Sequence, residues 1–171
     1  FFIGGNTKQV WENILRDDYD NWDVPTLQEE YNAYKQDNPL PYKELIFPDV
    51  FKVLNEVNSR GLKIGLASSS VKADILRALE ENHLNGFFDV VLSGEEFKES
   101  KPNPEIYLTA LQHLNVEANQ ALIIEDSEKG IAAGVAAGVE VWAIKDNRFG
   151  MDQGAAKGLL DNLMDVLDLL K

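Results

Sequence analysis

Residues 121–127 read Ala-Leu-Ile-Ile-Glu-Asp-Ser, four apolar residues followed by two carboxylates and a hydroxyl. An apolar run with no polar residue on either face predicts a strand over 121–124 that is buried on both sides, as in a parallel sheet covered by helices. Ligands bind open parallel sheets at the carboxyl ends of the strands. Glu125 and Asp126 therefore mark a candidate site at the edge of a sheet.

The same pattern of helix and strand extends on both sides of this stretch. The predicted strands are 63–67, 88–92, 121–124 and 139–144, and the predicted helices are 49–60, 72–81, 104–114, 130–137 and 159–170. This alternation predicts an α/β fold with three layers, a Rossmann-like parallel sheet between helices. Gly130, Gly134 and Gly138 predict that one helix packs closely on the sheet.

Residues 1–42 contain no strand-like run and predict a small helical domain. Thr7 can cap a first helix that runs to about Arg16, and Thr26, followed three residues later by Glu29, forms a capping box for a second. The prolines of the segment 38–42 disfavour helical geometry in the residues before them and end that helix. We expect a partial helical cap over 1–42 and an α/β core over 43–171.

Composition and charge exclude several classes of function. The 171 residues carry a net charge of -13, so we expect neither nucleic acid nor an anionic membrane as a partner. No run approaches the roughly 18 apolar residues of a membrane span, which favours a cytoplasmic protein. The chain has no cysteine, so a metal would be bound by oxygen atoms or by His83 and His113, and oxygen ligands suit Mg²⁺.

Hydroxyl and ammonium groups follow two other predicted strands. Ser68-Ser69-Ser70 comes directly after the strand 63–67. These serines can be N-caps of the next helix, or their hydroxyls and the free amides of that helix can bind a phosphate; both alternatives stay open. Lys101 lies in a segment stiffened by Pro102 and Pro104, which favours a cation held near the sheet edge over a solvated lysine.

The adjacent carboxylates of Glu125 and Asp126 are the most informative pair. Where a buried strand ends, two neighbouring negative charges repel each other unless a cation is present. An exposed acidic loop is the alternative. Mg²⁺ binds one or two carboxylates together with water and phosphate oxygens, so the pair predicts a magnesium site for phosphoryl transfer.

Three segments resemble, in order, the second, third and fourth motifs of the haloacid dehalogenase superfamily. They are residues 66–70, 100–107 and 124–131. The resemblance covers the chain from about residue 43, and residues 1–42 are similar to part of the helical cap of the β-phosphoglucomutase-like subgroup. It implies that Ser68 and Ser69 bind the phosphoryl group, that Lys101 neutralises its charge, and that Glu125 and Asp126 hold Mg²⁺, Asp126 directly.

The resemblance also implies a first strand that ends in an Asp-x-Asp motif, whose first aspartate is the nucleophile. Asp18-Tyr19-Asp20 has this spacing, but no apolar strand precedes it, and we reject it as a substitute. We expect the motif upstream of Phe1, on a central strand between those that end at Ala67 and Ile124. Without that segment to complete the sheet, we expect the chain to be unstable and inactive.

The resemblance implies an Mg²⁺-dependent phosphatase for small phosphorylated metabolites, sugar or polyol phosphates, acting through an aspartyl-phosphate. A β-phosphoglucomutase-like phosphomutase is the first alternative, because it uses the same motifs. A non-catalytic binding module or inactive fragment is the second. Gly5, Asn6 and Thr7 can contact the leaving group from the cap or can serve as a helix cap.

Overall fold

The computed structural model describes residues 7–148 and 150–170. Its helices, in chain order, are α1 (Thr7–Leu15), α2 (Val24–Asp37), α3 (Tyr42–Leu45), α4 (Val50–Ser59), α5 (Lys72–Glu81), α6 (Glu105–Leu114), α7 (Glu128–Ala136) and α8 (Val166–Leu169). Its strands are β1 (Gly65–Ser68), β2 (Val90–Ser93), β3 (Leu122–Glu125), β4 (Glu140–Ile144) and β5 (Gly158–Leu160). Short 3₁₀-helices span Arg16–Asn21, Gly94–Glu96, Ala118–Gln120 and Leu163–Asp165. In the described part of the chain, no helix has the length and hydropathy of a membrane span.

All strand pairs are parallel. β1 pairs with β2, with Ala67 opposite Leu92, and β3 pairs with β4, with Ile124 opposite Trp142. β5 adds to the other edge of β4. The parallel α/β fold predicted from the sequence is confirmed, because helices lie between successive strands and pack on the sheets.

Apolar side chains cover both faces of the strands. On one face, Leu92 of β2 packs with Ile106 and Tyr107 of α6 and with Ala133 of α7. On the other face, the buried Ile75 and Leu79 of α5 pack with partly buried residues of α4, β1 and β2. A third cluster joins Ile131 of α7 to Val141 and Ala143 of β4. Helices therefore flank the strands on both sides, which gives three layers.

The sheet consists of two pieces, and the division falls between β1 and β3. These two strands are not hydrogen-bonded to each other in the described residues. None of the residues of β1 or β3 is fully buried, whereas β4 buries Val141 and Ala143, and β2 buries Leu92 and Ser93. In a continuous sheet the central strands are the most buried. Here β1 and β3 are less buried than β2 and β4, which marks an opening between β1 and β3.

The C-terminal segment corrects the sequence-based prediction of a helix over 159–170. Gly158–Leu160 is a strand that pairs with Trp142–Ile144 of β4, and the helix α8 begins only at Val166. A side chain at position 158 would lie 2.4 Å from the ring of Trp142, so glycine lets the two strands approach. The spacing of the leucines is that of an amphipathic helix. The segment 158–160 instead forms backbone hydrogen bonds with the edge of β4 that does not face β3.

The helix starts near the N-terminus also differ from the prediction. Thr26 is not a cap: α2 begins at Val24, and its N-cap is Asp23, whose carboxylate accepts the Thr26 N–H. Thr7 is itself the first residue of α1 within the described chain. Gly61 follows Arg60, the C-cap of α4, with a left-handed φ of 70°. The division of the chain near residue 42 stays a prediction.

Candidate active site

Lys101 and Glu125 form a buried ion pair at the carboxyl ends of β1 and β3. Lys101 Nζ lies 2.5 Å from Glu125 Oε1, and the two side chains are 5% and 9% exposed. The same ammonium donates to the carbonyl of Ala67, on the opposite side of the opening, at 3.2 Å. One buried cation therefore links the two pieces of the sheet.

Both carboxylate oxygens of Glu125 are occupied. Oε1 accepts from Lys101 and from the hydroxyl of Tyr107, each at 2.5 Å. Oε2 accepts from the N–H groups of Asp126 and Ser127 and from the Ser127 hydroxyl. Burial by itself would raise the pKa of Glu125, but the Lys101 charge and these hydrogen bonds together hold that pKa below its ordinary value. Glu125 is therefore an ionised hub with a fixed orientation.

Asp126 differs from its neighbour because its side chain faces solvent. Partial burial against the protein raises the pKa of Asp126, and the negative charge of Glu125 raises it further. The carboxylate of Asp146 acts in the same direction. Asp146 follows β4, its side chain is 3% exposed, and Arg148 donates to both of its oxygens. Three carboxylates thus contribute negative charge to this edge.

The donor set at this edge suits Mg²⁺. Asp126, with a solvent-facing carboxylate beside the ionised Glu125, fits as a direct ligand, and Glu125 fits as a nearby charge that stabilises the ion. Within residues 7–148 and 150–170, no three His, Asp or Glu side chains are grouped closely enough to hold a metal by themselves. Water and phosphate oxygens are the ligands that Mg²⁺ commonly retains in addition to carboxylates.

Ser68 and Ser69 lie at the same edge. Ser68 is the last residue of β1, directly after the carbonyl that Lys101 contacts, and both serines are half-buried. Ser68 Oγ accepts the N–H of Ser70 at 3.1 Å. A hydroxyl that accepts one hydrogen bond keeps its own hydrogen for donation, so Ser68 can donate to an anion.

These serines do not cap α5, and the prediction that they could is wrong. The N-cap position is occupied by Val71, and no side chain caps the helix from there. The N–H of Lys72 instead donates to the carboxylate of Glu95 at 2.6 Å. Glu95, from the segment after β2, therefore accepts a hydrogen bond from a backbone N–H at the start of α5 that was a candidate for phosphate binding.

The structure brings Ser68, Lys101, Glu125 and Asp126 to one edge, as the sequence predicts, and their roles stay predictions. Two side chains there were missed. Tyr107 lies within the segment 100–107, for which only Lys101 was given a role. Its hydroxyl contacts both Lys101 and Glu125. Gln153 lies in no motif, and no sequence signal would have found it.

Gln153 joins the carboxyl ends of β3 and β4. Its Nε2 donates to the carbonyls of Asp126 and Ile144, both at 2.8 Å, and its Oε1 accepts the Asp146 N–H at 3.3 Å. One amide side chain thus fixes the backbone at Asp126, the proposed metal ligand. It also borders an open cavity of about 530 Å³ lined by residues that follow β4.

We expect Gln153→Leu to lower the free energy of unfolding by about 1 to 2 kcal/mol, because two carbonyls and an amide lose their partner. Urea titration of the full-length protein, with a substitution of the exposed Gln112, Gln112→Leu, as control, measures this difference. Equal stability of the two variants would show that the Gln153 bridge does not hold the strand ends.

The predicted contact from the cap falls mostly outside the described residues. Gly5 and Asn6 are not described, and Thr7 is exposed at the start of α1. The contact that α1 does make comes from Gln9, whose Oε1 accepts a hydrogen bond from Ser100 Oγ at 2.8 Å. Both residues border a cavity of about 470 Å³. The helical segment therefore contacts the core one residue before Lys101.

A parallel α/β sheet with a buried cation, a hydroxyl and carboxylates at its carboxyl edge places the chain among α/β proteins with a polar candidate site at the strand ends. The chain belongs to the haloacid dehalogenase-like hydrolase family, which it matches over residues 1–144. It is 34% identical to a phosphorylated carbohydrates phosphatase of Thermotoga maritima over 72% of this chain and 59% of that protein. It is 30% identical to a phosphoglycolate phosphatase of Aquifex aeolicus over 81% of this chain and 63% of that protein.

A crystal structure of a protein from Thermotoga maritima, assigned as a β-phosphoglucomutase, has a similar fold. The TM-score is 0.71 and the identity 29%, over 87% of this chain and 70% of that one. The chain spans about three fifths of the length of the two phosphatases that it matches.

Proposed function

We propose that the whole protein is an Mg²⁺-dependent phosphatase that acts on small phosphorylated metabolites, sugar or polyol phosphates. The observation that carries the proposal is the buried Lys101 ammonium, which lies between Ala67 of β1 and Glu125 of β3. A cation held there can neutralise a phosphoryl group that is bound at Ser68. In a chain of net charge -13, an anionic substrate needs such a local positive charge.

The chemistry proposed is that of the family. A carboxylate on a strand that would lie in the opening between β1 and β3 attacks phosphorus, and the bond from phosphorus to the ester oxygen breaks. A second aspartate donates a proton to the leaving alcohol. Water, which gives a proton to the same second aspartate, then attacks phosphorus, the bond from phosphorus to the first aspartate breaks, and inorganic phosphate is released.

The described residues have separate tasks in this reaction. Ser68 donates a hydrogen bond to the phosphoryl group, and Lys101 neutralises charge on that group and on the nucleophile. Asp126, oriented by the bridge from Gln153, would hold Mg²⁺, which stabilises charge on the phosphoryl oxygens when bound. Ser69 is the second phosphate-binding candidate.

One of the relatives and one cavity support the proposed substrate class. The Thermotoga maritima relative is a phosphatase of phosphorylated carbohydrates, and the polar cavity beside Gln9 and Ser100 suits a hydroxylated leaving group. A phosphomutase is the second candidate, because of the similarity to the structure assigned as a β-phosphoglucomutase. A phosphomutase differs in returning the phosphoryl group to a sugar instead of to water.

The test is phosphate release by the full-length gene product, with Mg²⁺ or with EDTA, from sugar phosphates, polyol phosphates, phosphoglycolate and pyrophosphate. We expect Mg²⁺-dependent release with the highest kcat/KM for sugar or polyol phosphates. Formation of an isomeric hexose phosphate without phosphate release would favour the phosphomutase. If a well-folded full-length protein gives neither product, it is a non-catalytic binding module.

Asp126→Asn is expected to lower kcat/KM by about tenfold or more and to raise the Mg²⁺ concentration needed for half-maximal rate, because a metal ligand loses its charge. The matched control is Asp20→Asn, an exposed residue of the 3₁₀-helix Arg16–Asn21. The control also tests the rejected Asp18-Tyr19-Asp20 motif. A loss of activity in the control would reverse that rejection, and an unchanged Mg²⁺ response in Asp126→Asn would exclude it as a ligand.

A further inference from the structure

The hydroxyl of Tyr107 reaches the Lys101–Glu125 pair from the core. Tyr107 lies on α6, is 7% exposed and packs among the apolar residues under the sheet. Its hydroxyl donates to Glu125 Oε1 at 2.5 Å and accepts from Lys101 Nζ at 2.9 Å. The ammonium also lies 4.7 Å from the centre of the Tyr107 ring. One phenol thus contacts both charges of the ion pair.

The Lys101 ammonium has three N–H groups and three acceptors. The acceptors are Glu125 Oε1 at 2.5 Å, the Tyr107 hydroxyl at 2.9 Å and the Ala67 carbonyl at 3.2 Å. A substrate oxygen can be bound only if one of these contacts is released. The contact to Ala67 is the longest, and Ala67 is next to Ser68, so this is the N–H group that can turn toward a phosphoryl group.

The phenol also restricts Glu125. Its donation to Oε1 and the three donations to Oε2 leave the carboxylate in one orientation. Burial and the charge of Glu125 raise the pKa of Tyr107, so the hydroxyl keeps its proton and remains a donor. Phenylalanine would fill the same core space but would make neither contact.

We propose that Tyr107 is a positioning residue, whose hydroxyl holds Lys101 and Glu125 while the third N–H of Lys101 turns from the Ala67 carbonyl to a substrate oxygen bound at Ser68. The inference rests on the proposed phosphatase function and adds an uncharged residue to Lys101, Glu125 and Asp126. The competing explanation is that the hydroxyl merely satisfies its own hydrogen-bonding needs in the core, as buried tyrosines usually do.

Kinetics of the full-length enzyme separate the two explanations. We expect Tyr107→Phe to lower kcat about tenfold, as for one lost charge-assisted hydrogen bond, with little change in KM and with a Tm that is lower by a few degrees. Tyr42→Phe, which removes a hydroxyl from the tyrosine that stacks on Arg77, is the control and should leave kcat unchanged. An unchanged kcat in Tyr107→Phe overturns the proposal.

A second readout does not depend on turnover. Lysine ammonium groups give an NMR signal when their protons exchange slowly, and Lys101→Met identifies the signal of Lys101. We expect a protected signal in the wild type that is lost in Tyr107→Phe and retained in Tyr42→Phe. If the signal survives in Tyr107→Phe, the hydroxyl does not hold Lys101. If the wild type releases no phosphate, the proposed function fails, and the signal alone decides whether Tyr107 positions the ammonium.

Discussion

Gly130→Ala is expected to lower the free energy of unfolding by about 3 kcal/mol, although alanine in a helix is ordinarily about 1 kcal/mol more favourable than glycine. A Cβ at position 130 would lie 2.1 Å from the carboxylate carbon of Glu125 and 2.1 Å from Oε1. The end of a long side chain can usually move away from such a contact. Here it is held by Lys101, Tyr107 and Ser127, so moving it breaks a buried ion pair.

The measurement is urea unfolding of Gly130→Ala beside Gly86→Ala, both in the full-length protein. Gly86 has open space around its missing Cβ and should tolerate alanine without loss. We also expect Gly130→Ala to reduce phosphate release in the full-length enzyme, because displaced Glu125 no longer holds Lys101. If alanine at position 130 stabilises the protein, Glu125 is free to move, and the rigid hub inferred for it does not exist.

Lys101→Met is expected to destabilise the fold by about 3 to 5 kcal/mol, the range for removing one partner of a buried ion pair. Methionine replaces most of the apolar stem of lysine but leaves Glu125 buried without a counterion. Activity should fall with stability, since no other cation contacts both Ala67 and Glu125 within residues 7–148 and 150–170. Lys52→Met, which changes an exposed lysine on α4, is the control and should have little effect.

The pH dependence of the Lys101→Met effect has a definite sign. In the wild type the pKa of Glu125 lies below its unfolded value of about 4.3, so its stabilisation is present above that pH and is lost as pH falls through the folded pKa. Without Lys101, burial should raise the pKa above the unfolded value, and protonation should then relieve the buried charge. The difference in unfolding free energy between variant and wild type should therefore be largest near pH 8 and shrink toward pH 5. Urea titrations in EDTA at the two pH values test this, and an equal difference at both would contradict it.

The side chains of the candidate site were predictable because they follow strands. Ser68, Glu125 and Asp126 come directly after apolar runs, and parallel strands that alternate with helices deliver their carboxyl ends to one edge. The contacts among these groups were not predictable. The bond from Tyr107 to Glu125 joins positions 18 apart, and that from Gln153 to Asp126 joins positions 27 apart.

Capping and strand pairing were the least predictable features. Short-range patterns allowed serine caps for α5 and favoured a helix over 159–170. A carboxylate from Glu95 and a free edge of β4 provided better partners from distant parts of the chain. Local propensity decides such cases only when no tertiary partner competes.

The sequence by itself determined the parallel α/β class, the family and the set of groups at the sheet edge. Hydrophobic periodicity and motif order are local properties of the chain, and they suffice for these conclusions. Only the tertiary structure decided that the sheet opens between β1 and β3 and that Lys101 links its two pieces. It also decided that both carboxylate oxygens of Glu125 accept hydrogen bonds while Asp126 faces solvent. The reason is that hydrogen bonds and burial depend on which distant segments meet, and the spacing of residues along the chain does not specify the atoms that come into contact.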